Sequence, residues 1–93
     1  MIVSFRDVDA ELLWKTGKSR KFPAAIRRTA FKRLSILNAA LALANLSVPP
    51  GNRLDALSGN RKGQHSIRVN EQFRVCFVWR AGNAHDVEIV DYH

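Results

Sequence analysis

Residues 66–79 read SIRVNEQFRVCFVW, Ser66 to Trp79, and the reading of this stretch decides the fold. On one side of its centre Ile67 and Val69 alternate with Ser66 and Arg68. On the other, Phe73, Val75, Phe77 and Trp79 alternate with Arg74, Cys76 and Val78. Apolar residues at every second position mark a half-buried strand, so the stretch is a hairpin of two strands. With Asn70, Glu71 and Gln72 as its loop, Val69 faces Phe73, Ile67 faces Val75 and Arg68 faces Arg74. A slip of one residue would set Arg68 against Val75 and mix the two faces, so the apolar pattern selects the register.

That register sets two arginines directly across from each other, at a cost within the range of roughly 0.2–1 kcal/mol typical of cross-strand pairs. Either both guanidinium groups splay into water, where screening makes the cost small, or they form a clamp for phosphate, whose oxygens the planar guanidinium fork matches. A second hairpin turning through Ala81, Gly82 and Asn83 places Val75 opposite Ile89, Phe77 opposite Val87, Arg74 opposite Val90 and His85 opposite Trp79, away from the arginine face. Tyr92 then lies one diagonal step from Arg74 on the same face. Asp91 and His93 point to the other face on an ideal strand, although the last residue is free to turn where pairing ends. This face of the sheet is expected to be basic and uncovered by helices.

Outward from the hairpins, Met1 to Phe5 reads as a short strand. Asp7 is a helix N-cap, Asp9 and Glu11 place negative charge in the first turn, and Gly17 is a stop signal. Pro23 starts a second helix, expected over about Pro23 to Asn45, with Ile26, Ala30, Leu34, Leu37, Leu41 and Ala44 as its buried stripe and VPPG (Val48 to Gly51) as its end. Two helices followed by a meander of strands give an α+β fold: two N-terminal helices packed on one face of a small, mainly antiparallel β-sheet. At 93 residues the chain holds one core, so residues 1–93 form a single domain.

Fifteen Lys and Arg against eight Asp and Glu give a net charge of +7, and no acid occurs between Leu12 and Leu54. A polyanionic partner is implied, nucleic acid or an acidic protein, although a like-charge stretch is often only a solvated face. Cys76 is the single cysteine, which leaves no disulfide framework and fits a reducing, cytoplasmic location. With one Cys and no clustered His spacing there is no metal site to propose, and no cofactor motif is present. No apolar run is long enough for a membrane span or an export signal.

The arginine face suggests RNA chemistry. Cleavage needs a 2′-hydroxyl deprotonated, a phosphorane neutralised and a 5′-oxygen protonated, and arginines suit the second task while a histidine suits proton transfer near neutral pH. His93 is the best-tuned group for this, Tyr92 can donate a hydrogen bond or stack on a base, and Asp91 can orient His93. The bland alternatives are a Tyr packed at a strand end, an exposed terminal His and an edge charge that blocks sheet extension. Arg61 and Lys62 in GNRKG are candidate backbone contacts to RNA.

The succession NRLDALSGNRKGQHSIRVNEQFRVCFVW, with the closing DVEIVDYH, the opening MIVSF and the basic TGKSRKFP, resembles the HigB toxins of bacterial toxin–antitoxin pairs, a branch of the RelE-like family. The resemblance implies a RelE-like α+β toxin that enters the ribosomal A site and cleaves messenger RNA. It also implies neutralisation by a HigA antitoxin with a helix-turn-helix domain, through which alone the pair would reach operator DNA. On the family pattern Arg74 is the transition-state arginine, Asp91, Tyr92 and His93 form a terminal cluster, and Arg68 has a supporting RNA-binding role; Arg53, Arg61 and Lys62 are further candidate RNA-binding residues by their charge. Some members carry a His and a Lys where this chain has Asp55 and Ser58, and often an aromatic where it has His65, which shifts weight to His93 and Arg74. Two rivals remain: a ParE-like toxin that acts on DNA gyrase without cutting RNA, and a plain RNA- or DNA-binding module.

Overall fold

In the computed structural model, which describes residues 1–92, Asp7 opens helix α1 (Val8–Thr16) by accepting a 2.9 Å hydrogen bond from the Asp9 amide. Gly17 ends it in the left-handed region at φ 74°, where a residue without a Cβ is unstrained. Helix α2 (Ala24–Ala39) follows Pro23 and buries Ile26, Ala30, Leu34 and Leu37. It stops six residues short of the expected Asn45. Ala40 is extended, and the chain continues as a 3₁₀ turn over Leu43–Ser47. Leu41, expected in the buried stripe, is 89% exposed and Ala44 is also exposed, while Leu46 is fully buried. Size explains the break. A helix from Pro23 to Asn45 would be about 35 Å long at ~1.5 Å per residue, longer than the 30 Å largest extent of the molecule, so the chain turns back and seats Leu46 instead.

Four strands, β1 (Asp55–Ala56), β2 (His65–Arg68), β3 (Phe73–Arg80) and β4 (Asn83–Asp91), form an antiparallel sheet in the order β1-β2-β3-β4. The first hairpin has the register the apolar pattern selects, with Ile67 opposite Val75 and Arg68 opposite Arg74. Its loop is pinned by Asn70, whose side-chain oxygen accepts from the amides of Gln72 (2.9 Å) and Phe73 (2.7 Å).

The second hairpin differs from expectation in a compensated way. Its loop is only Ala81 and Gly82, at φ 52° and 76°, and Arg80 pairs with Asn83. Two consecutive left-handed residues match the twist of the flanking strands, which favours this tighter turn. A bulge where Asp86 sits at φ 52° then restores the count, so that Cys76 meets Glu88, Val75 meets Ile89 and Arg74 meets Val90. Phe77 and Val87 fall in the irregular stretch and do not pair. His85 pairs with Val78 rather than Trp79, which turns it to the face that carries Arg74, at the far end of the sheet, with Nδ1 3.3 Å from Arg80 Nη2.

Residues Met1 to Arg6 run parallel to β4 as an extended segment rather than a strand of the sheet, bridging Ile2 to Ala84 and Phe5 to Val87. The two bridges flank the bulge, where the Asp86 amide turns to Ser4 Oγ (2.9 Å) and interrupts the ladder. The helices cover one face of the sheet: Leu13, Ile26, Ala30, Leu34 and Leu37 pack with Ile67, Val75, Phe77, Val87 and Ile89 in one core. The architecture is therefore α+β, two N-terminal helices on one face. Among the described residues no helix is long and apolar enough to cross a membrane.

Candidate active site

Strand alternation sends Ser66 and Arg68 of β2, Arg74 and Cys76 of β3, and Glu88 and Val90 of β4 to the face opposite the helices. Arg74 is anchored there twice. Its Nε donates to Ser66 Oγ and its Nη2 to the main-chain oxygen of Arg53, each at 2.7 Å. Arg53 offers that oxygen from a left-handed conformation (φ 46°, ψ 57°) just after the 3₁₀ turn Pro50–Asn52, an uncommon geometry for a residue with a Cβ. Asn52 beside it is fully buried and donates to Leu46 O at 3.3 Å, which ties the turn to the core. Among the described residues two of the five Arg74 N–H donors are thus engaged, leaving three, both on Nη1 among them. They belong to an open cleft of about 390 Å³ lined by Arg53, Arg68, Asn70, Glu71, Arg74 and Tyr92. Arg33 of α2 donates to the main-chain oxygen of Arg68 at 2.8 Å and so braces the hairpin from behind.

The cleft gathers three guanidinium groups and a half-exposed phenol, a constellation suited to a phosphodiester and its flanking base. Other sequence candidates lie apart from it. Arg61 is paired with Glu88 of β4 and also donates to Gln64 Oε1 at 3.1 Å. The hydrogen bond to Glu88 raises the Arg61 pKa, and the pair clasps the 59–64 turn onto the sheet. Lys62 is exposed on that turn. Asp91 pairs with Phe73, on the helix side of the sheet; its Oδ2 accepts from Gln72 Nε2 at 2.9 Å, and it lines a separate groove with Arg6, Lys21 and Phe22. The Tyr92 amide donates to Gln72 O, so Gln72 secures the end of β4 through both residues. His93 lies outside the described residues. Asp55 pairs with Ser66 across β1 and β2. Among the described residues no three His, Cys, Asp or Glu side chains gather as a metal site.

Sequence reasoning missed Ser66, Glu71 and Glu88. The signal for Ser66 was present, since it precedes Arg68 by two on the same strand and so lies diagonal to Arg74. The face is uncovered by helices, as expected, yet Ser66 and Cys76 are both fully buried on it. Burial pushes the Cys76 thiol up; Arg61 pulls it down, Glu88 pushes it up again, and Arg74 pulls it down.

A family model described as the RelE-like toxin of type II toxin–antitoxin system HigB matches residues 3–93. The chain belongs to this HigB-like toxin family. It is 44% identical over 85 residues to Toxin HigB-1 of Vibrio cholerae serotype O1, covering 90% of each chain. It is also 30% identical over 93 residues to Endoribonuclease HigB of Proteus vulgaris, covering all of both. The fold matches a solved toxin–antitoxin complex, YoeB–YefM of Staphylococcus aureus, with a TM-score of 0.56 at 13% identity, covering 100% of this chain and 98% of that one. As a HigB-like toxin it is the toxic half of a type II pair, and its partner class is an antitoxin.

Proposed function

We propose that this HigB-like toxin is an endoribonuclease that cuts messenger RNA on the ribosome and is silenced by a HigA-type helix-turn-helix antitoxin. The observation that carries the reading is the doubly anchored Arg74, three of whose donors no described residue takes, in a cleft shared with Arg53, Arg68 and Tyr92. A relative aligned over its full length bears the name Endoribonuclease HigB. In this reading Arg74 and Arg68 bind the scissile phosphate and neutralise the phosphorane as charge develops. Tyr92 stacks on a base or donates a hydrogen bond, and the proton that leaves the 2′-hydroxyl and the one that reaches the 5′-oxygen pass through the Tyr92 and His93 pair. Asp91 holds the chain end in place through Gln72, and Arg53 and Lys62 touch the RNA backbone.

Ribosome dependence follows from the openness of the cleft. It gathers positive charge that attracts RNA but does not enclose the strand, and one fixed guanidinium does not set the angle of attack, so a second body must hold the message in line. The cytoplasm, where messages are translated, is then the place of action. The acid-free helical segment, with Lys15, Lys18, Arg27, Arg28 and Lys32, supplies charge for docking on ribosomal RNA in the A site. Operator DNA is reached only through the antitoxin.

The test is to incubate the purified toxin with one message, naked or on translating ribosomes. Cleavage is expected only on ribosomes. Intact message under both conditions, with broken DNA in cells that express the toxin, would replace this reading with a ParE-like action on gyrase.

A further inference from the structure

Ser66 is fully buried, and its hydroxyl oxygen is the acceptor for Nε of Arg74, which lines the cleft. A hydroxyl fully buried in the middle of a sheet needs a reason, because an unpaired polar group there costs about 1–3 kcal/mol and an apolar residue would pack as well. Its only hydrogen-bond partner among the described residues is Arg74. The second anchor of the same guanidinium is a carbonyl presented by a left-handed Arg53, so backbone strain and a buried hydroxyl converge on one side chain. An arginine with free torsions samples many orientations, whereas two acceptors at 2.7 Å on different nitrogens fix both the position and the plane of the group. Across the hairpin, the Arg68 guanidinium has no comparable anchor among the described residues; the bond at that residue is the one its main-chain oxygen accepts from Arg33 Nε.

We propose that Ser66 is a positioning residue for RNA cleavage: with the Arg53 carbonyl it locks the Arg74 guanidinium so that the remaining donors meet the phosphorane rather than the ground-state phosphate. The inference rests on the cleft being the nuclease site. It divides labour between the paired arginines: Arg68 captures the backbone, while Arg74, held by two acceptors, acts on the transition state. Removing the hydroxyl leaves the charge of Arg74 in the cleft and loosens its aim, so binding survives and the chemical step suffers.

The experiment measures single-turnover cleavage on translating ribosomes for the parent, Ser66→Ala, Arg74→Ala and the double variant, alongside ¹⁵N NMR of the arginine Nε–H resonances. Ser66→Ala is expected to slow cleavage about 10- to 100-fold, with less than about threefold change in the half-saturating ribosome concentration. It is expected to add nothing in the Arg74→Ala background, because both changes act through one group. The Arg74 Nε–H resonance, slow to exchange in the parent, is expected to broaden or exchange rapidly in Ser66→Ala while the amide spectrum stays in place. Full cleavage by Ser66→Ala, an equal further loss in the double variant, an unchanged Arg74 resonance or a collapsed amide spectrum each overturns the proposal. If Arg74→Ala itself cleaves at the parental rate, the assignment of nuclease activity to this cleft fails instead.

Discussion

Replacing Arg68 by Gln is expected to make the free toxin more stable while disabling it. Arg68 and Arg74 are directly paired across the first hairpin on the face that holds the cleft. For two unit charges taken as about 8 Å apart in a water-like dielectric, Coulomb repulsion amounts to about 0.5 kcal/mol, within the range for like charges facing across a sheet. Glu71 lines the same cleft and offsets part of this, so about 0.3–0.5 kcal/mol is the expected gain. In urea unfolding, where a small domain loses about 1 kcal/mol of stability per molar denaturant, the midpoint rises by about 0.3–0.5 M at low salt. The gain vanishes near 1 M NaCl, where the screening length is about 3 Å. Added inorganic phosphate stabilises the parent more than the variant, because the anion binds only the folded pair. A variant that is less stable at low salt, or a difference that ignores salt, refutes the claim that this face holds two repelling charges in readiness for an anion.

Three further outcomes follow from the packing. Leu34→Ala, at a fully buried α2 position, is expected to cost about 2–5 kcal/mol in chemical denaturation, whereas Leu41→Gln, at an 89% exposed position, changes stability by less than about 0.5 kcal/mol; equal costs would restore the long helix. Glu88→Gln, which removes the anion from the largely shielded pair with Arg61, is expected to cost about 1–2 kcal/mol and to raise hydrogen exchange in the 59–64 turn. Because burial raises the Cys76 thiol pKa in the folded state, the folded protein keeps a proton that the unfolded chain loses above about pH 8.5. Stability is therefore expected to decline from about pH 8.5 upward, and Cys76→Ala to flatten that decline in thermal melts at pH 8–9.5; an unchanged slope contradicts the assignment.

The parts of the molecule that were legible in the sequence are those where one local pattern had a single physical solution. Alternation from Ser66 to Trp79 admitted one register, and with it came the facing of Arg68 and Arg74 and the turn of Asp91 toward the helix side. Asp7 and Gly17 marked the ends of α1 because cap chemistry is local. What failed was what depends on the whole. The apolar spacing of α2 runs on through Leu41 and Ala44 with no Gly or Pro to break it, and only the dimensions of the core decide that the chain turns at Ala40. The bulge at Asp86 carries no sequence mark, since a left-handed aspartate in HDVE looks like any strand residue. It cancels the shorter Ala81–Gly82 loop, which is why the register at Arg74 was right although the loop was not. Arg61 read as an RNA contact because its partner Glu88 is distant in sequence, and Ser66, although diagonal to Arg74, was passed over because the direction in which the guanidinium turns is set only by the fold.

The central claim is that Arg74 in this cleft cuts messenger RNA. Its most direct test maps message 5′ ends in cells after brief expression of the parent or of Arg74→Ala, with co-purification of the antitoxin as a check that the variant folds. New 5′ ends inside translated regions are expected for the parent and none for Arg74→Ala, with antitoxin capture equal for both. Identical cuts from the two proteins, or growth arrest by the parent with every message intact, would contradict the account.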